Sequence, residues 1–293
     1  MFCNFTTTTH AKWILAGEHA VLRGHGALVF PLQNHQLTLS YTREDTELNA
    51  DYSGSSGTDM SLLFWSVLQQ GQQLLGHSLN RLNGHFHLDC NIPIGVGMGA
   101  SAALCVAMAN WFAAQRLIAA ETITQFARDL EHLFHGQSSG LDIAGVAANS
   151  GVYFQQGKSQ MITQSWQPYW YLSSCQQVGI TSHCINQVNQ LWETSPELGE
   201  QLDALMSQAV EKAHLALETY TPDSIHLLTE SIKNGSYCFE KWGLVSETLF
   251  QHMQLLYQHG ALAVKPTGSG NGGFVVSLWE KPPTSLSIEM IVL

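Results

Sequence analysis

Strand-like and helix-like patterns alternate along both halves of this chain, which predicts two mixed domains of the α/β or α+β class. Two further observations support that expectation. The 293 residues fit two domains of ordinary size better than one. Apolar residues make up 45% of the chain and charged residues only 12%, enough to fill real cores and too apolar for a disordered chain. A soft boundary at Gln167-Pro168 sets the expected domains at residues 1–166 and 167–293.

The elements follow in chain order. Lys12–Ala16 and Ala27–Tyr41 read as strands around a glycine-rich turn at Arg23–Gly26. Ser53–Thr58 is a Gly/Ser loop, and Met60–Leu75 carries Leu62, Leu63, Trp65 and Leu68 at helical spacing. His85–Ile92 alternates as a strand and runs into Pro93–Ser101, after which Ala102–Ile118, rich in Ala and Leu, predicts a buried helix. A helix over Thr122–His135 leads to a Gly/Ser loop at Gly136–Gly140, and Val152–Phe154 and Gln160–Trp166 read as strands. The second block opens with a strand from Tyr169 to Ser174. Helical patterns follow at Glu197–Glu218, Pro222–Trp242 and Val245–His259, then strands at Leu262–Lys265 and Phe274–Trp279 flank a glycine-rich loop, Thr267–Gly273.

Composition narrows the function. A formal charge of -11 leaves no basic surplus to release counterions, so neither nucleic acid nor an anionic membrane is an expected partner. The six cysteines are scattered with no C-x-x-C pair, which predicts reduced, mostly buried thiols. No stretch reaches 18 uninterrupted apolar residues, and the first residues lack the pattern of a signal peptide. The expectation is a cytoplasmic protein acting on a small-molecule substrate; a homodimer is left open.

Strand, glycine-rich loop and helix in succession are a recurring way to bind phosphate. Glycines let backbone N–H groups approach the oxygens, and a helix N-terminus adds partial positive charge. Gly95, Gly97 and Gly99 ahead of Ser101 fit that pattern. The same residues formally satisfy the dinucleotide fingerprint G-x-G-x-x-A, but that motif needs a second strand ending in an acid about twenty residues on. Here the next acid, Glu121, opens a helical segment. Gly157-Lys158-Ser159 lacks the upstream glycine of a Walker loop. His85 and His87 share a strand face without a third ligand at a recognisable distance, so they read as a surface pair rather than a metal centre.

Glu131 and His135 lie four apart on one helical pattern, and Asp142 follows seven residues after His135 across a run of small residues. Two carboxylates feeding one pocket suit phosphoryl transfer: one holds Mg²⁺ on the phosphates, the other steers the attacking hydroxyl.

Four segments then carry a family resemblance. Lys12–Leu22 resembles the first motif of mevalonate kinases, where a lysine precedes a short strand ending in G-E-H-A-V. Pro93–Ala103 resembles P-x-G-x-G-x-G-S-S-A-A, the phosphate loop of the GHMP kinase superfamily. His135–Asp142 is similar to H-G-x-P-S-G-x-D, and Lys265–Gly273 to K-x-T-G-A-G-G-G-G. The resemblance implies an α+β, two-domain GHMP kinase fold, with an N-terminal domain of the ribosomal-protein-S5 second-domain type and a ferredoxin-like C-terminal domain. It implies ATP and Mg²⁺ as cofactors and transfer of the γ-phosphoryl group to a primary alcohol, mevalonate first. By the same resemblance Asp142 is the catalytic acid–base residue and Lys12 its partner. Pro93, Gly95, Gly97, Met98, Gly99, Ala100, Ser101 and Ala102 bind the nucleotide phosphates, and Ser101 and Glu131 hold the metal. Glu18, His19, His135, Gly268 and Ser269 serve the acceptor.

The motifs also depart from the family. Ala100 replaces the first serine of S-S-A-A, Ser138 replaces a proline, Ile143 replaces an asparagine, and Ser269 and Asn271 replace Ala and Gly. Gly140–Ala144 is also similar to the S-G-x-D-[IV]-A of phosphomevalonate kinases, which keeps phosphomevalonate or a sugar open as acceptor. A catalytically silent sensor with this fold would have lost the acid or the lysine; this chain carries both.

Overall fold

The computed structural model describes residues 2–76, 78–79, 82–135, 138–284 and 286–293, without the side chain of His135. Contacts divide the chain into two compact units. Unit 1 comprises Met1–Lys12, Pro31–Ile94 and Met98–Asn149, and unit 2 comprises Trp13–Phe30, Gly95–Gly97 and Ser150–Leu293. These units interleave along the sequence because two long strands, β1 (Phe5–Ala16) and β2 (Ala27–Thr42), each contribute residues to both.

In unit 1, β3 (Asn49–Ser53) pairs in parallel with β4 (His85–Cys90), and β4 pairs antiparallel with Leu37–Thr42 of β2. β1 starts earlier than its sequence pattern suggested, because the threonine run before Lys12 is β-branched and pleats readily. Thr6 and Thr8 of that run bond Ser40 and Thr38. Helix α1 (Gly57–Leu75) turns Met60, Phe64, Val67, Leu68 and Gly71 inward. Gly71 is required there: a Cβ would lie 2.4 Å from the Phe112 ring. That ring belongs to α2 (Ala100–Ala114), the Ala-rich helix expected from sequence, which is buried on nearly every side. Tyr41, Phe64, Phe86 and Trp111 complete an aromatic core, with Phe86 and Trp111 centroids 5.1 Å apart at 63°. Two further helices follow, α3 (Ile123–His135) and α4 (Leu141–Ala147). The sequence reading missed α4, whose seven residues are too few for a periodic pattern.

His85 and His87 do share a face, and the partner opposite them is a carboxylate. His85 bonds Asp51 of β3, and His87 Nδ1 lies 2.8 Å from the other Asp51 oxygen. No metal-ligating group of three or more exists among the described residues.

In unit 2, Ala27–Val29 of β2 pair antiparallel with β5 (Val152–Gln155), which pairs with β6 (Lys158–Met161). Residues after Met161 leave the sheet, so the strand expected over Gln160–Trp166 is shorter and shifted. A second sheet follows. Its strands are β7 (Tyr169–Ser174), β8 (Ala263–Thr267), β9 (Phe274–Trp279) and β10 (Ile291–Val292), in the order β10-β7-β9-β8 and antiparallel throughout. Four helices join them: α5 (Thr181–Thr194), α6 (Pro196–Glu218), α7 (Ser224–Lys241) and α8 (Glu247–Gln258). Leu249, Met253 and Leu256 of α8 pack with Val264, Val275 and Trp279 of the sheet. Trp170 of β7 meets Trp13 at 5.0 Å and Phe30 at 5.7 Å.

All six cysteines are free thiols and five are buried, as the sequence predicts. No helix among the described residues is long and apolar enough to cross a membrane.

Candidate active site

Unit 1 gathers the predicted catalytic residues. Lys12 sits near the C-terminal end of β1, 2% exposed, and its Nζ lies 2.9 Å from Asp142 Oδ1. Burying an ammonium is costly unless it is paired, so this ion pair fixes the direction of the lysine. Asp142 is 31% exposed and is the second residue of α4, whose first, Leu141, follows Gly140. Gly140, at φ 86°, lets the chain turn into the helix, and the carboxylate gains from the positive end of its dipole.

Glu131 of α3 is 1% exposed. Burial, with the Asp142 carboxylate next in importance, pushes its pKa up to about 8. One oxygen, Oε2, accepts from the Ser138 hydroxyl; the other, Oε1, is buried with no hydrogen-bond partner among the described residues. Ser138 in turn accepts from the Gly140 N–H at 3.1 Å, and its carbonyl accepts from Arg128 Nε at 3.1 Å. Ser138, which stands where the resembled motif has proline, therefore ties Glu131 to the turn that launches α4. Neither Ser138 nor Arg128 was singled out as functional from sequence; the substitution of a polar residue inside a motif was the available signal.

The loop Pro93–Ala102 has positive φ at Gly95, Gly97 and Gly99, of 76°, 82° and 79°. Gly99 caps α2, and a Cβ there would meet Lys12 Cγ at 2.9 Å and Val146 Cγ1 at 3.2 Å. Only glycine lets the lysine stem pass so close. The Lys12 N–H also donates to the Met98 carbonyl at 3.0 Å, so the loop and the end of β1 are fixed together. Met98, Ala100 and Ala102 are buried, whereas Ser101 is partly open at the start of α2. Cys105, one turn beyond Ser101, has its thiol pushed well up by burial and then by the charge of Glu131.

Mg²⁺ takes oxygen ligands and is held by one or two carboxylates together with substrate phosphates. The unpartnered Oε1 of Glu131 and the helix-start hydroxyl of Ser101 fit that requirement.

Unit 2 gathers a second set. Glu18 is 3% exposed and its carboxylate bonds the ammonium of Lys265, itself fully buried on β8. His19 Nε2 lies 2.9 Å from the Ser269 carbonyl, and since a carbonyl only accepts, Nε2 carries the proton. Burial pushes the His19 pKa down to about 4, so its imidazole is neutral near pH 7. Gly97 and Gly268 approach each other in this unit: a Cβ on Gly268 would lie 3.4 Å from Gly97 Cα. Arg23 makes a two-pronged ion pair with the buried carboxylate of Asp203, Nη2 to Oδ1 at 2.6 Å, and covers the Trp192 ring at 5.0 Å. The side chain of His135, expected near the acceptor, lies outside the described residues.

The family model "GHMP kinases N terminal domain" matches residues 63–150. A mevalonate kinase of Archaeoglobus fulgidus is 28% identical over 284 residues, covering 95% of this chain and 94% of its own. A mevalonate kinase of Pyrococcus horikoshii is 25% identical over 299 residues, covering 92% and 86%. Among solved structures, L. major mevalonate kinase in complex with R-mevalonate superposes with a TM-score of 0.77 at 21% identity, covering 94% of this chain and 87% of that one. The last shows the fold alone.

Proposed function

We propose, from the premise that this chain belongs to the GHMP kinases, that it transfers the γ-phosphoryl group of ATP to the primary alcohol of mevalonate, giving 5-phosphomevalonate. The ion pair of Lys12 and Asp142, with the buried Glu131 close enough to feel the Asp142 charge, carries this reading. Asp142 orients the acceptor hydroxyl and takes its proton as the oxygen attacks in line, a role worth roughly 10²–10⁴-fold. Lys12 holds that carboxylate in place and offsets the negative charge that develops on the transferring group. Backbone amides from Gly97 to Ser101, with the rest of the Pro93–Ala102 loop, cradle the β- and γ-phosphates. Glu131 and Ser101 would hold Mg²⁺, which would neutralise phosphate charge and align the nucleotide. His19, His135, Gly268 and Ser269 recognise the acceptor, and Glu18 contributes through its bond to Lys265. The protein is placed in the cytoplasm, as a homodimer or a monomer.

Phosphomevalonate is the second reading, supported by the Gly140–Ala144 motif. An acceptor already phosphorylated needs free cations, and in unit 2 the charge of Arg23 is spent on Asp203 and that of Lys265 on Glu18. That favours the unphosphorylated alcohol. A coupled ADP-release assay across mevalonate, phosphomevalonate, galactose and homoserine tests the choice. Mevalonate is expected to give the highest kcat/KM; a clear preference for another acceptor overturns the assignment.

A further inference from the structure

We propose that Lys265 is a positioning residue for acceptor recognition: its buried ammonium, bonded to Glu18 and seated over Phe239, fixes the turn that holds His19. Lys265 and Glu18 are both essentially inaccessible, so neither is offered to a substrate. Desolvating two charges rarely stabilises a protein more than a well-packed apolar pair would, and such pairs are best explained where they fix one geometry. The geometry here is demanding. Gly17, at φ 105°, and His19, at φ 60°, flank Glu18 in the left-handed region, and for His19 that backbone is strained unless its surroundings hold it.

The surroundings converge on β8 and the loop after it. Thr267 Oγ1 accepts from the Ile14 N–H at 2.8 Å and donates to the Ile14 carbonyl at 3.0 Å. Lys265 Nζ lies 3.5 Å from that same carbonyl and 5.3 Å from the Phe239 ring centroid. Gly235 of α7 leaves room for the lysine stem, since a Cβ there would meet Lys265 Cδ and Cε at 3.0 Å. His19 then packs edge-on to Phe239 and Trp242, at 5.9 and 5.1 Å, with its Nε2–H on the Ser269 carbonyl. Phe239 thus touches both the ammonium and the imidazole. With Nε2 committed, Nδ1 is the nitrogen that accepts a hydrogen bond, and a substrate hydroxyl is its natural donor. Losing the ion pair removes the charge-assisted tie between Glu18 and β8, relaxes the turn at His19 and turns Nδ1 away from its task.

This inference rests on the proposed acceptor role of His19, and its test separates the two. Three variants are compared with the wild type: Lys265→Met with Glu18→Gln, which removes both charges; His19→Ala; and all three changes together. The charge-free variant is expected to raise the KM for mevalonate at least about tenfold, with kcat and the ATP KM within about twofold. Adding it to His19→Ala is expected to change the mevalonate KM no further, because groups acting through one another do not add. An unchanged KM, or strictly multiplicative effects, overturns the proposal. If the charge-free protein does not fold, Glu18→Gln alone decides: it keeps volume and a hydrogen bond, so a threefold or greater rise in KM supports the proposal and none overturns it. Histidine ¹⁵N spectra give an answer independent of turnover. The His19 ring is expected as a single Nε2–H tautomer in the wild type and as an exchanging mixture in the variant, and identical spectra refute the positioning role. A wild type that phosphorylates no acceptor refutes the proposed function instead, while the spectra still judge Lys265.

Discussion

Asp142 and Lys12 face each other at 2.9 Å, so changing one carboxylate oxygen to an amide removes the proton acceptor while keeping shape and much of the hydrogen bonding. Asp142→Asn is therefore expected to retain nucleotide binding and to lower kcat by at least about a hundredfold. Near-normal turnover, measured alongside nucleotide titration, would remove Asp142 from its role. Ser138 offers a subtler test at the same scale. Its hydroxyl bonds Glu131 and pulls the glutamate pKa down, against the upward push of burial and of Asp142. Ser138→Ala removes that bond, so protons hold Glu131 more tightly and compete better with a cation near neutral pH. The Mg²⁺ concentration needed for half-maximal rate is expected to rise several-fold at pH 7 and to return toward the wild-type value at pH 9. Identical Mg²⁺ titrations at pH 7 would dissociate Ser138, and with it Glu131, from metal binding.

Elements matter here chiefly by where they begin. α2 starts at Ala100 because Gly99 takes a left-handed conformation, and α4 starts at Leu141 because Gly140 does the same. Gly99→Ala places a methyl group against the Lys12 stem, 2.9 Å away, and forces an L-residue to φ 79°. The strain is worth about 1–2 kcal/mol, and the displaced lysine is expected to cost kcat at least about tenfold while the protein still folds. Full activity in a folded Gly99→Ala protein would show that Lys12 need not sit where it does. These starts also mark what was legible in the sequence. The glycines, Ser101, Glu131 and Asp142 stood in recognisable order, and long helices such as Pro196–Glu218 had enough turns to display a period. α4 and α5 did not. Seven residues make under two turns, and Thr181–Thr194 buries only Cys184 and Val188, too few to mark a face. The bond between Ser138 and Glu131 and the pairing of Glu18 with Lys265 were invisible for a different reason. Glu18 and Lys265 are joined across 247 positions of sequence, which no local pattern encodes, and Ser138 reaches Glu131 from seven positions on, past the end of the helix, where no helix or strand period links the two.

Across the whole molecule, two buried titrating groups pull stability in opposite directions with pH. His19 has a pKa of about 4 in the fold against 6.5 unfolded, so between those values only the unfolded chain carries the proton. Stability therefore rises with pH through that window and is lost as pH falls from 6.5 toward 4. Glu131 has a pKa of about 8 in the fold against 4.5 unfolded, so between those values only the folded chain carries the proton. Its contribution falls as pH rises from 4.5 to 8 and is flat beyond. Where the windows overlap, between 4.5 and 6.5, these two slopes oppose each other, while His252, its pKa lowered by burial, adds a further rise with pH. Above pH 6.5 the His19 slope has ended and that of Glu131 continues, roughly 1.4 kcal/mol per pH unit up to about 8. Urea unfolding without metal is expected to show that decline in the wild type and its absence in Glu131→Gln, whose amide has no proton to lose. The variant should then be the more stable protein at pH 8.5, a sign that Glu131 is kept for binding a cation and not for holding the fold. A wild type with flat stability from pH 6.5 to 8, or a variant that declines in parallel with it, would contradict a buried, proton-retaining Glu131.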